Sequence, residues 1–110
     1  MTFKIANRDI GSHARPYLIA EMSGNHNHSL ERALQIVDAA ARAGADAIKL
    51  QTYTADTMTL NSDADGFVIR DQNSLWDGRR LFDLYQEAHT PWEWHKPILE
   101  RATSLGMHCF

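Results

Sequence analysis

The sequence predicts an α/β fold built on a parallel βαβ unit, and three observations point there. An apolar run short enough to be a buried strand, Tyr17 to Glu21, follows Pro16. From Ser29 to Ala43, the residues Leu30, Ala33, Leu34, Val37, Ala40 and Ala41 recur at the i, i+3, i+4, i+7 spacing of one helix face. After Gly44 a second strand-like run, Ala47 to Gln51, begins. Strand, loop, helix, tight turn and strand make a complete βαβ unit, whose parallel sheet is normally covered on both faces and whose crossover is right-handed.

Ahead of this unit, Phe3 to Ile5 and Ile10 flank the turn-forming Asn7, Arg8, Asp9 and Gly11, the pattern of a short β-hairpin or extended lead-in. Residues 1–16 are therefore assigned to a lid or plug, and residues 17–110 to the main fold. The first core strand ends on the carboxylate of Glu21. Met22 to His28 packs Gly24, Asn25, His26, Asn27 and His28 into a loop, after which Ser29 is a good N-cap and Glu31 suits the positive end of the helix dipole. The alanines of the helix permit close approach to a sheet, and Gly44 supplies the left-handed residue that closes it.

Beyond Gln51, the stretch Thr52 to Asp77 is rich in Thr, Asp, Asn and Ser, with the apolar group Phe67, Val68 and Ile69 standing alone. A loop of this length is uncommon unless it is functional or carries local structure, and it leaves the carboxyl end of the second strand, where ligands bind in barrels and open α/β sheets. Gly78 to Ala88 reads as a helix with Leu81, Phe82, Leu84 and Tyr85 on its apolar side. Thr90, Pro91, Trp92 and Glu93 read as a capping box that starts another helix, running to about Leu105 with a kink at Pro97. Gly106 then leads into Met107 to Phe110, the start of a third strand. A strand without its neighbour and following helix is an unusual end for a domain, so a fragment of a longer protein is expected.

Composition narrows the function classes. A net charge of -3 with acidic and basic residues interspersed leaves no basic stripe, which argues against a nucleic-acid partner. The opening MTFKIANRDIG lacks the apolar core of a signal peptide, and nothing approaches the ~20 apolar residues of a membrane span. A cytoplasmic protein without a membrane role is expected. The single cysteine, Cys109, closes an apolar run and reads as a small buried side chain rather than a nucleophile.

Three constellations compete for the chemistry. Alternation in the second strand puts Ala47, Lys49 and Gln51 on one face and Ile48 and Leu50 on the other. If the strands are parallel neighbours, Glu21, Lys49 and Gln51 converge on a pocket suited to an acidic substrate, although an ion pair that merely holds the fold would look the same. His26 and His28 have the alternate spacing of metal ligands, yet no Cys or Asp stands nearby at a motif spacing, which favours a polar loop over a metal site. Trp76, Tyr85, Trp92 and Trp94 have the stacking surface a sugar needs, but aromatic residues on helices are more often core, and core is the reading for most of them.

The segments IAEMSGNHN, AGADAIKLQTYTADTMTL and LWDGRRLFDLYQEAHTPWEWH together resemble the N-terminal part of the sialic acid synthase family, in its pseudaminic acid synthase branch. The strand ending in Glu and the K-x-Q-T strand belong to the family pattern at large, whereas TYTADTMTL and HTPWEWH point to the branch. His28 stands where a smaller or amide side chain is more usual.

The resemblance implies the N-terminal portion of a TIM (β/α)8 barrel that condenses phosphoenolpyruvate with an amino-sugar aldehyde, giving a nonulosonic acid and phosphate. For this branch the sugar is a 2,4-diacetamido-2,4,6-trideoxy altrose. It further implies that Lys49 binds the phosphoenolpyruvate anion as a desolvated cation, that Gln51 faces the sugar, and that Glu21 acts catalytically near the reacting aldehyde, orienting water or a hydroxyl and moving a proton. A divalent metal, Mn or Mg, is implied for the complete enzyme with histidine ligands beyond Phe110, so none is expected on this segment, which should be inactive alone. A homodimer is expected of the full-length protein. The alternatives are N-acetylneuraminate synthase or another phosphoenolpyruvate-condensing barrel, and a non-catalytic anion-binding module.

Overall fold

A computed structural model describes residues 2–110. In chain order the elements are β1 (Phe3–Ile5), β2 (Arg8–Ile10), β3 (Ile19–Glu21), α1 (Leu30–Arg42), β4 (Ala47–Lys49), α2 (Ala55–Met58), α3 (Leu81–Ala88), a 3-10 turn (Trp92–Trp94), α4 (His95–Ser104) and β5 (His108–Cys109). β1 and β2 pair antiparallel, with Phe3 opposite Ile10 and Ile5 opposite Arg8. The other sheet is parallel in the order β3-β4-β5, with Ile19 opposite Ala47, Glu21 opposite Lys49, and Ala47 opposite His108.

α1 forms where its periodicity and caps place it. The Ser29 hydroxyl accepts the Arg32 N–H at 3.2 Å, and Gly44 takes a φ of +87° just past the Ala43 C-cap. Its buried stripe, Ala33 and Val37, packs with Ile98 and Ala102 of α4 over Met22, Ile48, Leu50 and Met107 from one face of the sheet. Each large side chain fully buried here contributes about 1.5–3 kcal/mol relative to exposure. Arg101 of α4 holds Asp38 of α1 through two bonds of 2.6 and 2.9 Å, fixing the two helices side by side. The opposite face of the sheet carries no such cover: Ile19, Glu21, Lys49, His108 and Phe110 are exposed along it, and only the small Ala47 is buried in the row.

Asp46, at the turn before β4, ties the lead-in to this sheet. Its carboxylate accepts the Leu18 N–H at 2.8 Å, pairs with Arg8 and lies 2.7 Å from Arg15. The Leu18 hydrogen bond, helped by Arg8, pulls its pKa from 3.8 to about 2. Arg8 also donates to the carbonyls of Arg15 and Pro16 and lies 5.2 Å over the Tyr17 ring, which stacks on His108. The antiparallel pair therefore attaches at the amino ends of the parallel strands, away from Glu21 and Lys49.

Several expectations need correction. The core strands are three residues long or shorter, with single ladder bonds extending them, Met22 N–H to the Lys49 carbonyl at 3.1 Å and Leu50 N–H to the Phe110 carbonyl at 2.7 Å. The Thr90–Glu93 capping box does not form: the Thr90 hydroxyl accepts the Gln51 N–H at 3.3 Å while the Thr90 N–H donates to the Gln51 carbonyl at 2.9 Å, so this residue is spent on the sheet end. The helix instead begins as the 3-10 turn, and Pro97 falls in the first turn of α4, where proline is tolerated. The aromatic group is mostly not core. Trp94 is buried, but Trp92 is exposed and stacks on His95, and Trp76 is exposed as well. The stretch from Thr52 to Asp77 carries local structure, as expected of its length: it holds α2 and then folds back antiparallel, Val68 bridging to Arg80. Gly78, at φ +81°, lies in that turn, which is why α3 starts only at Leu81.

His26 is the largest fully buried polar side chain. Its Nδ1 accepts the His28 N–H at 3.0 Å and its ring meets Trp94 edge-on at 5.1 Å. Burial lowers its pKa below 6.5, with His28 adding to the effect. Protonating Nδ1 would also break its accepted hydrogen bond.

Two measurements check these anchors. Because the folded-state pKa of Asp46 lies below its unfolded value, its stabilisation is present above the ordinary 3.8 and is lost as pH falls toward about 2. Asp46→Asn is expected to lower the thermal midpoint at neutral pH and to flatten that acid-side loss; an unchanged midpoint contradicts the anchor. For His26 the contribution is complete above 6.5 and declines below it, so NMR titration of its imidazole should give a midpoint under 6.5. A midpoint at or above that value contradicts the buried neutral ring.

Candidate functional site

Glu21 and Lys49 are the last residues of adjacent parallel strands and stand opposite one another in register. Their side chains therefore leave the sheet on the same face, and Lys49 Nζ lies 3.4 Å from Glu21 Oε1. The pair is open to water, at 47% exposure for the lysine and 59% for the carboxylate. Lys49 is thus half-exposed rather than desolvated, because α1 and α4 both cover the other face. Such an exposed pair contributes little to stability.

Gln51 lies two residues beyond Lys49, just past the end of β4. The chain leaves the strand after Lys49, and the two backbone bonds to Thr90 turn residue 51 toward α3. There Gln51 lines a neighbouring cleft of about 580 Å³ between the β3-α1 loop, Tyr53, Trp76 and α3. Glu21 and Lys49 are not among its lining residues. Glu21 and Lys49 thus form an ion pair at the strand ends, and Gln51 lines the cleft beside it.

The loop wall of the cleft is shaped by backbone constraints. A Cβ at Gly24 would meet the Ala88 Cβ at 3.0 Å, so glycine lets the loop touch the end of α3. Ser23, Asn27 and His28 take φ values of +51°, +46° and +55°, a left-handed conformation unusual outside glycine and asparagine. Asn25 and Asn27 line the cleft, the Asn25 amide donating to the Met22 carbonyl at 3.0 Å, and His28 Nδ1 lies 3.2 Å from the Glu87 carbonyl. Glu87 is held by Arg79 through bonds of 3.1 and 2.7 Å, and that guanidinium keeps its carboxyl below the usual range. Tyr53 donates to Gln51 Oε1 at 3.4 Å and meets Tyr85 edge-on at 5.7 Å.

Of the cleft-lining residues, Trp76 and Tyr85 stand in the aromatic group weighed as a stacking surface and read mostly as core, while Asn25, Asn27 and Tyr53 carry no site assignment from the sequence. The donor set for a metal ion does not fit on these residues: His26 is buried against Trp94, and among the described residues no three His, Cys, Asp or Glu side chains converge. Cys109 is half-buried, and burial raises its thiol pKa, which makes it a poor nucleophile.

Comparison with known proteins matches the fold and the site-bearing segments together. Residues 36–110 match the model of the NeuB family. Over 94 residues the chain is 54% identical to a pseudaminic acid synthase of Campylobacter jejuni, covering 86% of this chain and 27% of that protein. Over 95 residues it is 47% identical to the pseudaminic acid synthase of Helicobacter pylori, with the same coverage. The crystal structure of the spore coat polysaccharide biosynthesis protein SpsE from Bacillus subtilis superposes with a TM-score of 0.69 at 32% identity, over 100% of this chain and 27% of that one. The chain thus spans about a quarter of the length of these relatives. With its parallel βαβ core and the strand ends that carry Glu21 and Lys49 lying within matched segments, it belongs to the NeuB family.

Proposed function

We propose that these residues form the first two βα units and third strand of a (β/α)8 barrel in a pseudaminic acid synthase. The enzyme would condense phosphoenolpyruvate with a 2,4-diacetamido-2,4,6-trideoxy altrose to give a nonulosonic acid and phosphate. The observation that carries this reading is the in-register Glu21–Lys49 pair at the carboxyl ends of adjacent parallel strands, in a chain 54% identical to an enzyme of that name. Ligands of α/β barrels bind at that end of the strands. The exposed sheet face supports the same reading, because a parallel sheet is stable when both faces are covered and a closed barrel supplies the second cover.

In this proposal the Lys49 ammonium exchanges Glu21 for the phosphoenolpyruvate anion. Closing the barrel over it removes water and strengthens the attraction. C3 of the enol attacks the aldehyde carbon, forming the new carbon–carbon bond, and the aldehyde oxygen takes a proton. Water adds at C2, and the tetrahedral centre then loses phosphate by carbon–oxygen cleavage. Glu21, released from Lys49, orients a water or sugar hydroxyl and moves a proton. Gln51 holds the sugar from the adjoining cleft. A divalent cation, Mn or Mg, would belong to the complete enzyme and would supply Lewis-acid chemistry there; the described residues do not hold it and contribute no step through it. No helix among the described residues is long and apolar enough to cross a membrane. We place the reaction in the cytoplasm, where phosphoenolpyruvate is available.

The 110-residue chain alone is expected to release no phosphate from phosphoenolpyruvate and the sugar, since most of the barrel is missing. Turnover at the rate of the complete enzyme contradicts this. In the complete enzyme, Lys49→Met is expected to raise the KM for phosphoenolpyruvate about tenfold or more, the worth of one charged hydrogen bond. An unchanged KM removes lysine from the role.

A further inference from the structure

We infer that His95 is a positioning residue for Gln51, acting through a hydrogen bond to Thr52 that fixes the chain where it leaves β4. This goes beyond the synthase reading and rests on its placement of Gln51 against the sugar. Thr52 Oγ1 lies 2.6 Å from His95 Nε2, and His95 Nδ1 lies 3.1 Å from the Trp92 carbonyl. A carbonyl oxygen only accepts, so Nδ1 carries the proton of the neutral ring, Nε2 accepts, and the Thr52 hydroxyl donates.

The imidazole is held in place from several sides. The backbone N–H of His95 donates to the same Trp92 carbonyl, its ring stacks on Trp92 at a centroid distance of 5.5 Å and an angle of 22°, and it opens α4, whose Ile98 and Ala102 lie in the core. The acceptor nitrogen is therefore presented from a packed helix, and a hydroxyl that bonds to it takes up a fixed position relative to the sheet.

Thr52 is where the chain needs such an anchor. The last backbone bonds at the strand end are those of Gln51 with Thr90, and among the described residues neither Thr52 nor Tyr53 makes a hydrogen bond with its own N–H or carbonyl. The backbone is next tied at Thr54, whose N–H donates to Thr57 Oγ1 at 3.3 Å where α2 starts. Across that gap the Thr52 hydroxyl links the chain to α4, while Tyr53 turns back and donates to Gln51 Oε1 at 3.4 Å. The Tyr53 bond occupies the oxygen of the Gln51 amide and leaves its NH2 group as the donor for a ligand. Breaking the Thr52–His95 bond would release residues 52 and 53 together, and with them the direction of that amide. A binding group that must be ordered as the ligand arrives gives weaker binding than one already in place.

The test uses the complete enzyme with phosphoenolpyruvate and the 2,4-diacetamido-2,4,6-trideoxy altrose, reading phosphate release. Thr52→Val removes the donor, and His95→Phe removes the acceptor while keeping a ring against Trp92. Each should raise the KM for the sugar about fivefold, as expected for one neutral hydrogen bond, and leave the KM for phosphoenolpyruvate within about twofold, which also reports an intact fold. The two changes together should cost no more than either alone, because they break the same bond. Thr52→Ser keeps the hydroxyl and should hold the sugar KM within about twofold of the unaltered enzyme. Adding Thr52→Val to Gln51→Ala should change nothing further. A merely structural tie would lower the thermal midpoint and leave the sugar KM alone in the single variants; that result, losses that multiply in the double variant, or no rescue by serine overturns the proposal. An unchanged sugar KM in Gln51→Ala overturns the placement of Gln51 against the sugar instead, and this proposal with it.

Discussion

The structure depends on the parallel pairing of β3 with β4. Every feature of the candidate site follows from its register, because a shift by one residue would send Lys49 to the helix-covered face and put Ile48 or Leu50 in its place. Three constraints hold that register. α1 spans the crossover and buries Ala33 and Val37 against the sheet; Ile48 and Leu50 demand the same covered side; and Asp46 bonds the Leu18 N–H directly across the strand starts. The Glu21–Lys49 contact is a consequence of this geometry, not a cause of it. Two half-exposed charges 3.4 Å apart contribute too little to set a strand register.

This ordering separates what stabilises from what acts. Stabilising groups lie at the amino ends of the strands and on the covered face: the Arg8–Asp46–Arg15 cluster, the Arg101–Asp38 link and the apolar residues between α1 and α4. Groups with chemical capacity lie at the carboxyl ends, on the open face and in the neighbouring cleft. In the proposed function the anion meets Lys49 on the open face, beside the cleft lined by Gln51 and the aromatic residues. Thr90 joins the two regions, since its two backbone-directed bonds fix the point where the chain passes from one to the other.

Much of the fold was legible because local signals and tertiary packing agree. α1 has its period, its Ser29 cap and its Gly44 terminator all in sequence, and its boundaries fall where these place them. The meeting of Glu21 and Lys49 was equally legible, as it needs only alternation and a parallel crossover. Elsewhere a local signal lost to a longer-range contact. Thr90 looks like a cap until Gln51, 39 residues earlier, takes its hydroxyl. Trp76 and Trp92 look like core because aromatic residues usually are, and nothing local reveals that the covered face is already filled by α1 and α4. The tie from Gln51 to Thr90 was not legible either, because it joins residues 39 apart through their backbone and a hydroxyl.

The central claim is that Lys49 leaves Glu21 to receive phosphoenolpyruvate on the open face of the parallel sheet. The most direct measurement is a crystal structure of the complete enzyme with phosphoenolpyruvate bound. The account predicts Lys49 Nζ within ion-pair distance of the phosphate or carboxylate, Glu21 separated from it, and Gln51 still turned into the adjoining cleft. Phosphoenolpyruvate bound elsewhere while Lys49 keeps its contact with Glu21 would contradict it.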